Sequence, residues 1–324
     1  MIHADARRLP LAVESVHMVA TSPPYFGLRD YGGDPRQVGL EQLHDCLGWA
    51  RGARLCQGDS AADCYVCTLR AVARELWRVL RDDGVMWLNI GDSYAGSSMS
   101  GGVGSGTIQG TQQGATKGCD LRFARSRETA LRPKSLLGVP WRVALALQAD
   151  GWILRSDIIW AKPNPMPESV RDRCTKSHEH VFMLAKSPRY YFDADAIREE
   201  AAGRNHHDLT GGRYSPEGQT PHTGSRESTA SAGGRNRRDV WRIATKGYSG
   251  AHFAAWPPAL VEPMILAGCP PGGWVLDPFA GSGTTGMVAV QHRRSAVLVD
   301  CNRDYLAEQA TRRTSNIQMS LLSA

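Results

Sequence analysis

A short segment, Ser22-Pro23-Pro24-Tyr25, follows an apolar run over residues 16–20 that we predict to be a buried strand. Two consecutive prolines cannot continue a sheet and fix the backbone, so we expect a rigid loop at the carboxyl end of this strand. Open α/β sheets bind ligands at that end. The loop offers a serine hydroxyl, backbone carbonyls and an aromatic ring. A diproline turn with a packed tyrosine is the structural alternative.

These groups suit the exocyclic amino group of a planar base. The amino nitrogen of cytosine or adenine is a poor nucleophile because its lone pair is delocalised into the ring. Two acceptors bonded to the amino hydrogens would favour a tetrahedral nitrogen and direct its lone pair at a methyl sulfonium. The tyrosine ring could stack on a base that has left its duplex. This chemistry needs no covalent enzyme intermediate.

A glycine loop near the other end of the chain has the spacing of a nucleotide-binding turn. Gly281, Gly283 and Gly286 follow a predicted strand at Trp274–Asp277, and the next predicted strand ends in Asp300. Glycines let backbone amides approach a ligand closely, and the carboxylate can bind ribose hydroxyls. The pattern leaves the ligand open between a pyrophosphate cofactor such as NAD and S-adenosylmethionine.

The elements around these loops alternate between strands and helices, as in an α/β sheet. Gly84 is expected to cap the helix that precedes it, and Gly151 to end the next helix. Because too few residues follow Gly286 to complete a doubly wound sheet, the other strands must come from earlier in the chain. We predict helices over residues 69–80, 140–148 and 284–291 and further strands over 85–90, 152–160, 181–184 and 295–299.

Together the two segments resemble the amino-methylating DNA methyltransferases. The catalytic motif of that family is Asp/Asn/Ser-Pro-Pro-Tyr/Phe, and its cofactor motif is typically Asp-Pro-Phe-x-Gly-x-Gly-Thr-Thr. This chain has Ser22–Tyr25 and, from Asp277 to Thr285, Asp-Pro-Phe-Ala-Gly-Ser-Gly-Thr-Thr. The order, with the catalytic motif first, is that of the permuted β group. The resemblance implies an α/β, Rossmann-like S-adenosylmethionine-dependent methyltransferase fold in permuted order, with DNA-recognition insertions.

The resemblance also implies roles for individual positions. Catalytic roles fall on Ser22, Pro23, Pro24 and Tyr25. Cofactor binding falls on Asp5, Phe253, Pro257, Asp277, Pro278, Phe279, Ala280, Gly281, Ser282, Gly283, Thr284 and Asp300. DNA contacts fall on Lys162, Arg173, Arg235, Arg237 and Arg238, for which solvated surface charge is the alternative. A surface turn is the alternative for Asp5. Segment 89–94 resembles the family's segment near the target-base pocket, and segment 162–167 resembles its loop beside the flipped base.

The serine in the catalytic motif bears on the substrate. In the family, Ser-Pro-Pro-Tyr is associated mainly with cytosine N4 methylation and Asp-Pro-Pro-Tyr with adenine N6 methylation. We therefore expect methylation of cytosine N4 in double-stranded DNA, with adenine N6 as the alternative and RNA or protein methylation as a lesser variant. Two other classes remain: a nucleotide-cofactor oxidoreductase, which the permuted order disfavours, and a non-catalytic DNA-binding module, which the intact catalytic motif disfavours.

Four cysteines lie close together in the first quarter of the chain. Four thiolates suffice for a tetrahedral structural zinc site, although the spacing contains one true C-x-x-C pair and His44 offers an alternative ligand. Buried or free thiols are the competing interpretation. His178-Glu179-His180 alternates as a strand would, and we interpret it as structural. The predicted zinc ligands are Cys46, Cys56, Cys64 and Cys67.

The predicted organisation follows from the order of the motifs. Residues 1–192 form the catalytic half, with insertions at about 42–67 and 95–120. Residues 193–242 form a candidate target-recognition segment, for which a polar linker is the alternative, and 243–324 the cofactor-binding half.

Bulk composition is compatible with this scheme. The net charge of +6 fits a polyanionic partner without requiring one. The chain has neither a long uncharged apolar stretch nor a secretory signal, so we expect a cytoplasmic protein with no membrane contact. The family resemblance also admits a homodimer.

Overall fold

The computed structural model describes residues 1–26, 64–95, 131–132, 134–200, 234–245, 256–303 and 305–315. No helix within these ranges has the length and apolar character needed to cross a membrane. The elements in chain order are β1 (Ile2–His3), β2 (Val16–Thr21), α1 (Tyr65–Val79), β3 (Leu80–Ile90), α2 (Val139–Ala149), β4 (Ile153–Ala161), β5 (His178–Ala185), a 3-10 turn (Asp195–Ile197), β6 (Val240–Arg242), α3 (Pro258–Gly268), β7 (Trp274–Asp277), α4 (Thr284–Gln291), β8 (Ser295–Asp300) and a π-helical turn (Tyr305–Ala310).

The eight strands of the described residues form one sheet in the order β1-β8-β7-β2-β3-β5-β4-β6. β5 is antiparallel to β3 and β4, and the other neighbouring pairs are parallel. β2 therefore lies between β3, which is also from the first part of the chain, and β7, which is from the last part. The carboxyl ends of β2, β3, β4, β7 and β8 meet at one edge of the sheet. This arrangement confirms the predicted Rossmann-like fold in permuted order.

Period-two alternation divides the strand residues between two apolar layers. On β2, Val19 packs in the layer beneath α1 and α2, whereas Met18 and Ala20 pack in the layer beneath α3. On β3, Met86 and Trp87 separate in the same way. Burying such a side chain contributes roughly 1.5–3 kcal/mol. Both faces of the sheet are therefore covered, which leaves its edge for ligands.

The prediction that Gly84 caps α1 is wrong. α1 ends at Val79 and β3 begins at once with Leu80, so Gly84 lies inside the strand. A Cβ atom at Gly84 would lie 2.6 Å from Leu80 Cδ1 and 2.9 Å from the carbonyl oxygen of His17. The pairing of β2 with β3 is irregular at this point. Close packing at the irregularity therefore explains the glycine. Gly151, with φ of +106°, follows α2 as predicted.

Much of the predicted insertions lies outside the described residues. This holds for most of 42–67 and 95–120 and for residues 201–233 of the recognition segment. The division into a catalytic half, a recognition segment and a cofactor half stays a prediction.

Candidate active site

The diproline loop leaves β2 at the edge of the sheet where the parallel strands end, and contacts from outside the loop fix it. Tyr65, the first residue of α1, donates its hydroxyl to the carbonyl oxygen of Pro24 at 2.8 Å. Its ring meets Phe26 edge-on with 5.6 Å between centroids. Within the part of the chain that the structure describes, no donor reaches the carbonyl of Pro23. The two proline carbonyls therefore differ, because one is bonded to the protein and the other is open.

Tyr25 is held on both its ring and its hydroxyl. A Cβ atom at Gly91 would lie 2.7 Å from Tyr25 Cε2, so the ring lies directly against the backbone of Gly91. The hydroxyl donates to Glu179 Oε2 at 2.5 Å. Burial, followed by the nearby Glu179 carboxylate, raises the pKa of Tyr25 well above its ordinary value. The phenol therefore stays protonated and acts as a donor to Glu179.

Asn89, near the end of β3, connects Ser22 to this pair. Its amide nitrogen lies 2.7 Å from Tyr25 Oη, 3.1 Å from Glu179 Oε2 and 3.3 Å from Ser22 Oγ. Its amide oxygen is buried and has no hydrogen-bond partner among the described residues. Glu179 also pairs with Lys162, whose ammonium lies 4.3 Å from the centre of the Trp160 ring. We call Ser22, Tyr25, Asn89, Lys162 and Glu179 the base-side cluster.

Glu179 is the member of this cluster that sequence reasoning missed. The strand predicted around it is confirmed, and His180 has a structural contact through Asp157 at 2.9 Å, as expected. The glutamate occupies the alternate position on the strand and points to the other face. That alternation was the available signal, since successive strand residues face opposite sides of a sheet.

Asp277 connects the diproline loop to the glycine loop. One carboxylate oxygen accepts from Thr21 Oγ1 at 2.8 Å and from the Phe279 amide at 3.1 Å, and the other accepts from Thr285 Oγ1 at 2.5 Å. Only 1% of Asp277 is exposed. Burial raises its pKa to about 6, although these hydrogen bonds oppose the shift. The side chain predicted to bind a cofactor is therefore directed into the protein.

The glycine loop passes close to the carboxyl end of β8. Asp300 accepts the Gly281 amide on one oxygen and the Asn302 amide on the other, each at 2.8 Å. Gly283 has φ of +76°, and a Cβ atom there would lie 2.7 Å from Ala310 Cβ. Arg313 donates to Ser282 Oγ at 2.9 Å and to Thr284 Oγ1 at 3.0 Å, a contact that sequence reasoning did not find.

The remaining predicted cofactor residues differ in how far the structure describes them. Asp5 follows β1, in which His3 pairs with Asp300 of β8. The Arg7 guanidinium donates to the Asp5 carboxylate at 2.8 Å. Pro257 directly precedes α3, and Trp256, the residue before it, is buried in the core. Phe253 lies outside the described residues. Pro278, Phe279 and Ala280 lie between β7 and the first glycine of the loop.

The predicted DNA contacts lie in two places. Lys162 belongs to the base-side cluster, and Arg173 stacks 4.1 Å from the Tyr94 ring centre while donating to Glu168 at 2.6 Å. The other three arginines precede β6, whose carboxyl end, not its start, reaches the edge that holds the cluster. Arg235 and Arg238 donate to Glu199 at 3.2 and 3.1 Å, and Arg237 lies 4.6 Å from the Trp241 ring centre.

The predicted zinc site is described only in part. Cys64 and Cys67 are buried at the start of α1, and Cys46 and Cys56 lie outside the described residues. Within those residues, no group of three or more histidine, cysteine or acidic side chains is placed to hold a metal. Structural zinc at the four cysteines stays a prediction.

Comparison with known proteins agrees with this geometry. The DNA methylase family model matches residues 16–312. The type II methyltransferase M.Cfr9I of Citrobacter freundii is 42% identical over 302 residues, which are 93% of this chain and 81% of the relative. The type II methyltransferase M.SmaI of Serratia marcescens is 40% identical over 307 residues, 94% of this chain and 87% of the relative.

Solved structures share the fold at low sequence identity. The cytosine-N4-specific PvuII DNA methyltransferase aligns with a TM-score of 0.58 and 16% identity over 98% of this chain and 88% of its own. A DNA modification methylase of Thermus thermophilus, solved with S-adenosyl-L-methionine, aligns with a TM-score of 0.52 and 20% identity over 97% of this chain and 91% of its own. From the family match and the relatives at 40% identity or more, the chain belongs to the DNA methylase family of N6-adenine and N4-cytosine methyltransferases.

Proposed function

We propose that this chain transfers a methyl group from S-adenosylmethionine to the N4 amino group of a cytosine in double-stranded DNA. The observation that carries the proposal is the 2.8 Å hydrogen bond from Thr21 Oγ1 to Asp277 Oδ1. It joins the last residue of β2 to the last residue of β7, immediately before the two loops. A base on the first loop and a cofactor on the second would therefore lie next to each other.

The residues around the glycine loop fit this cofactor. The Asp300 carboxylate accepts the backbone amides of Gly281, Asn302 and Cys301. A carboxylate has about four acceptor sites, so it can still accept a hydroxyl of a ribose. The left-handed turn at Gly283 closes the loop against Ala310, where a Cβ atom would not fit. Asp277 would position the loop from within. When bound, S-adenosylmethionine supplies an electrophilic methyl group. Asp5, Phe253 and Pro257 are further contacts that the family resemblance implies.

Two acceptors in the diproline loop would hold the amino group of the base. Ser22 Oγ accepts Asn89 at 3.3 Å and lies 3.5 Å from Tyr25 Oη, so one of its lone pairs remains available. No described residue donates to the Pro23 carbonyl, whereas Tyr65 donates to the Pro24 carbonyl. Hydrogen bonds from both amino hydrogens to these oxygens would make the nitrogen tetrahedral and its lone pair available.

The rest of the base-side cluster would hold these groups in place. One face of the Tyr25 ring lies on Gly91, and we assign the opposite face to stacking on the target base. Glu179 fixes the Tyr25 hydroxyl and the Asn89 amide, and through Asn89 it fixes Ser22. The Asn89 amide oxygen, which has no partner among the described residues, is a buried acceptor at this position. Glu179 and Asn89 thus act as positioning residues.

Cytosine is assigned from Ser22, since this residue of the motif is associated mainly with N4 methylation in the family. The names of the relatives as type II methyltransferases support a role in restriction-modification. Residues 193–242 are assigned to target recognition, and the net charge of +6 on the whole chain favours a polyanionic partner. Homodimerisation is carried by the family resemblance alone, and light scattering of the purified protein would test it.

The proposal is tested by identifying the product. The protein is incubated with duplex DNA and S-adenosylmethionine labelled on its methyl group, and the DNA is digested to nucleosides. The expected product is N4-methylcytosine. Detection of N6-methyladenine would change the assigned target base from cytosine to adenine, and the reaction would still be methylation of an amino group in DNA. Absence of DNA labelling across a mixed-sequence DNA library, by protein that binds both the cofactor and DNA, would overturn the proposed activity.

A further inference from the structure

Met166 is the most exposed of the large hydrophobic side chains in the described ranges, at 85%. It lies between Pro165 and Pro167 in the loop that follows β4. Single exposed hydrophobic residues are common, so exposure alone assigns no role. Met166 differs from the other exposed apolar residues in two ways. Hydrogen bonds anchor its loop, and the loop follows a strand that ends near the base-side cluster.

Hydrogen bonds anchor the first residues of the loop. Asn164 Nδ2 donates to the Thr245 carbonyl at 3.0 Å, and the Thr245 amide donates back to Asn164 Oδ1 at 2.9 Å. The Lys162 amide donates to the Ser177 carbonyl at 2.8 Å. The flanking prolines fix φ at their own positions. Met166 is therefore an apolar side chain projecting from a constrained backbone.

The loop starts at the base-side cluster. Lys162, its first residue, pairs with Glu179, which holds Tyr25 and Asn89. Only three residues separate Lys162 from Met166 along the chain. The exposed methionine therefore lies four residues along the chain from the base-side cluster, in a loop that leaves the same edge of the sheet.

We propose that Met166 is a wedge that enters the base stack of the DNA and fills the gap left when the target base turns out toward the base-side cluster. This inference rests on the proposed function. Removing a base from its stack costs free energy, and an apolar side chain inserted between base steps recovers part of it. Methionine is unbranched and polarisable, so it adapts to an irregular gap between flat surfaces.

The test separates wedge action from general binding. Single-turnover methyl transfer by Met166→Ala is measured on a duplex that the wild type methylates and on the same duplex with a mismatch at the target base. A wedge that lowers the barrier to flipping predicts a loss of about tenfold on the paired duplex. The loss should disappear on the mismatched duplex, where the base is already unstacked. Met166→Leu should keep most of the activity.

A second readout does not depend on methyl transfer. With 2-aminopurine next to the target base, binding of the wild type should raise fluorescence through unstacking, and Met166→Ala should raise it less. Val13→Ala, which truncates another exposed apolar residue at 61% exposure, is the control and should match the wild type in both assays. Equal losses on paired and mismatched duplexes, or no loss on either, would overturn the wedge. Failure of the wild type to label DNA would instead count against the proposed function.

Discussion

The two sides of the candidate site use their polar groups differently. On the glycine-loop side, the Asp277 carboxylate is buried and receives three hydrogen bonds from the protein itself. On the base side, the Asn89 amide oxygen and the Pro23 carbonyl have no partner among the described residues. Asp277 uses its hydrogen-bonding capacity to fix the shape of its loop, whereas Asn89 and Pro23 retain capacity for a substrate. Substitutions should therefore affect stability on the first side and turnover on the second.

The two sides also treat buried acids differently. Among the described residues, the donors to Asp277 are neutral, and burial raises its pKa to about 6. Glu179 has the Lys162 ammonium as an ion-pair partner. A buried carboxylate without a cation favours its protonated form. The base side therefore contains an ion pair, whereas burial favours the neutral form of Asp277.

The largest expected effect is that of Ser22→Ala on turnover. Removing one of the two acceptors for the amino group should lower kcat by roughly 10²–10³-fold, the range seen when one pre-organised hydrogen-bonding group is lost. Single-turnover methyl transfer gives the rate, and calorimetry gives the affinity for S-adenosylmethionine, which should not change. The control is Ser15→Ala, whose hydroxyl bonds the Ala12 carbonyl in an exposed turn. A loss of cofactor affinity instead of rate would contradict the division between the sides.

Gly283→Ala should show the opposite pattern by lowering stability. The Cβ atom would lie 2.7 Å from Ala310 Cβ at a φ of +76°, so strain and overpacking should together cost about 3 kcal/mol of unfolding free energy. Gly272 has the same φ with open space around it, so Gly272→Ala should cost only about 1 kcal/mol. Urea unfolding measures both. Equal costs would show that the contact with Ala310 does not matter.

The raised pKa of Asp277 predicts a pH-dependent difference in stability. The folded-state pKa of about 6 lies above the ordinary value of 3.8, so the folded protein binds more protons between these values. Its stability through this group therefore falls as pH rises from about 4 to 6 and is lowest above that window. The unfolding free energy of Asp277→Asn, taken relative to that of the wild type, should rise by about 2 kcal/mol between pH 4 and pH 7.5. A difference that is independent of pH would refute the shift.

The smallest expected effect is that of Glu179→Gln. The amide keeps the shape but replaces one acceptor oxygen with a donor, which must face either Lys162 or the pair Tyr25 and Asn89. We expect kcat to fall about tenfold through misplacement of Ser22, with cofactor affinity unchanged. Glu75→Gln is the matched control, because Glu75 also pairs with a basic residue but lies on α1. Unchanged kcat would remove Glu179 from the positioning network.

Most secondary structure could be predicted because it follows local periodicity. The strands at residues 16–20, 85–90 and 274–277 and the helix at 284–291 each lie within one or two residues of, or inside, the observed element. Gly84 could not be interpreted correctly, because its role depends on His17 of the neighbouring strand. Local sequence marks a glycine as permissive and does not show which contact requires it.

The sequence by itself determined the two motifs, their permuted order and the family they resemble, because those features are contiguous in the chain. Only the tertiary structure decided that Asp277 faces inward to Thr21 and that Glu179 connects Lys162 to Tyr25. These contacts join residues from different strands, and their distances depend on how the sheet orders those strands. Hydrogen bonding and burial act over a few ångströms in space, whatever the separation along the chain.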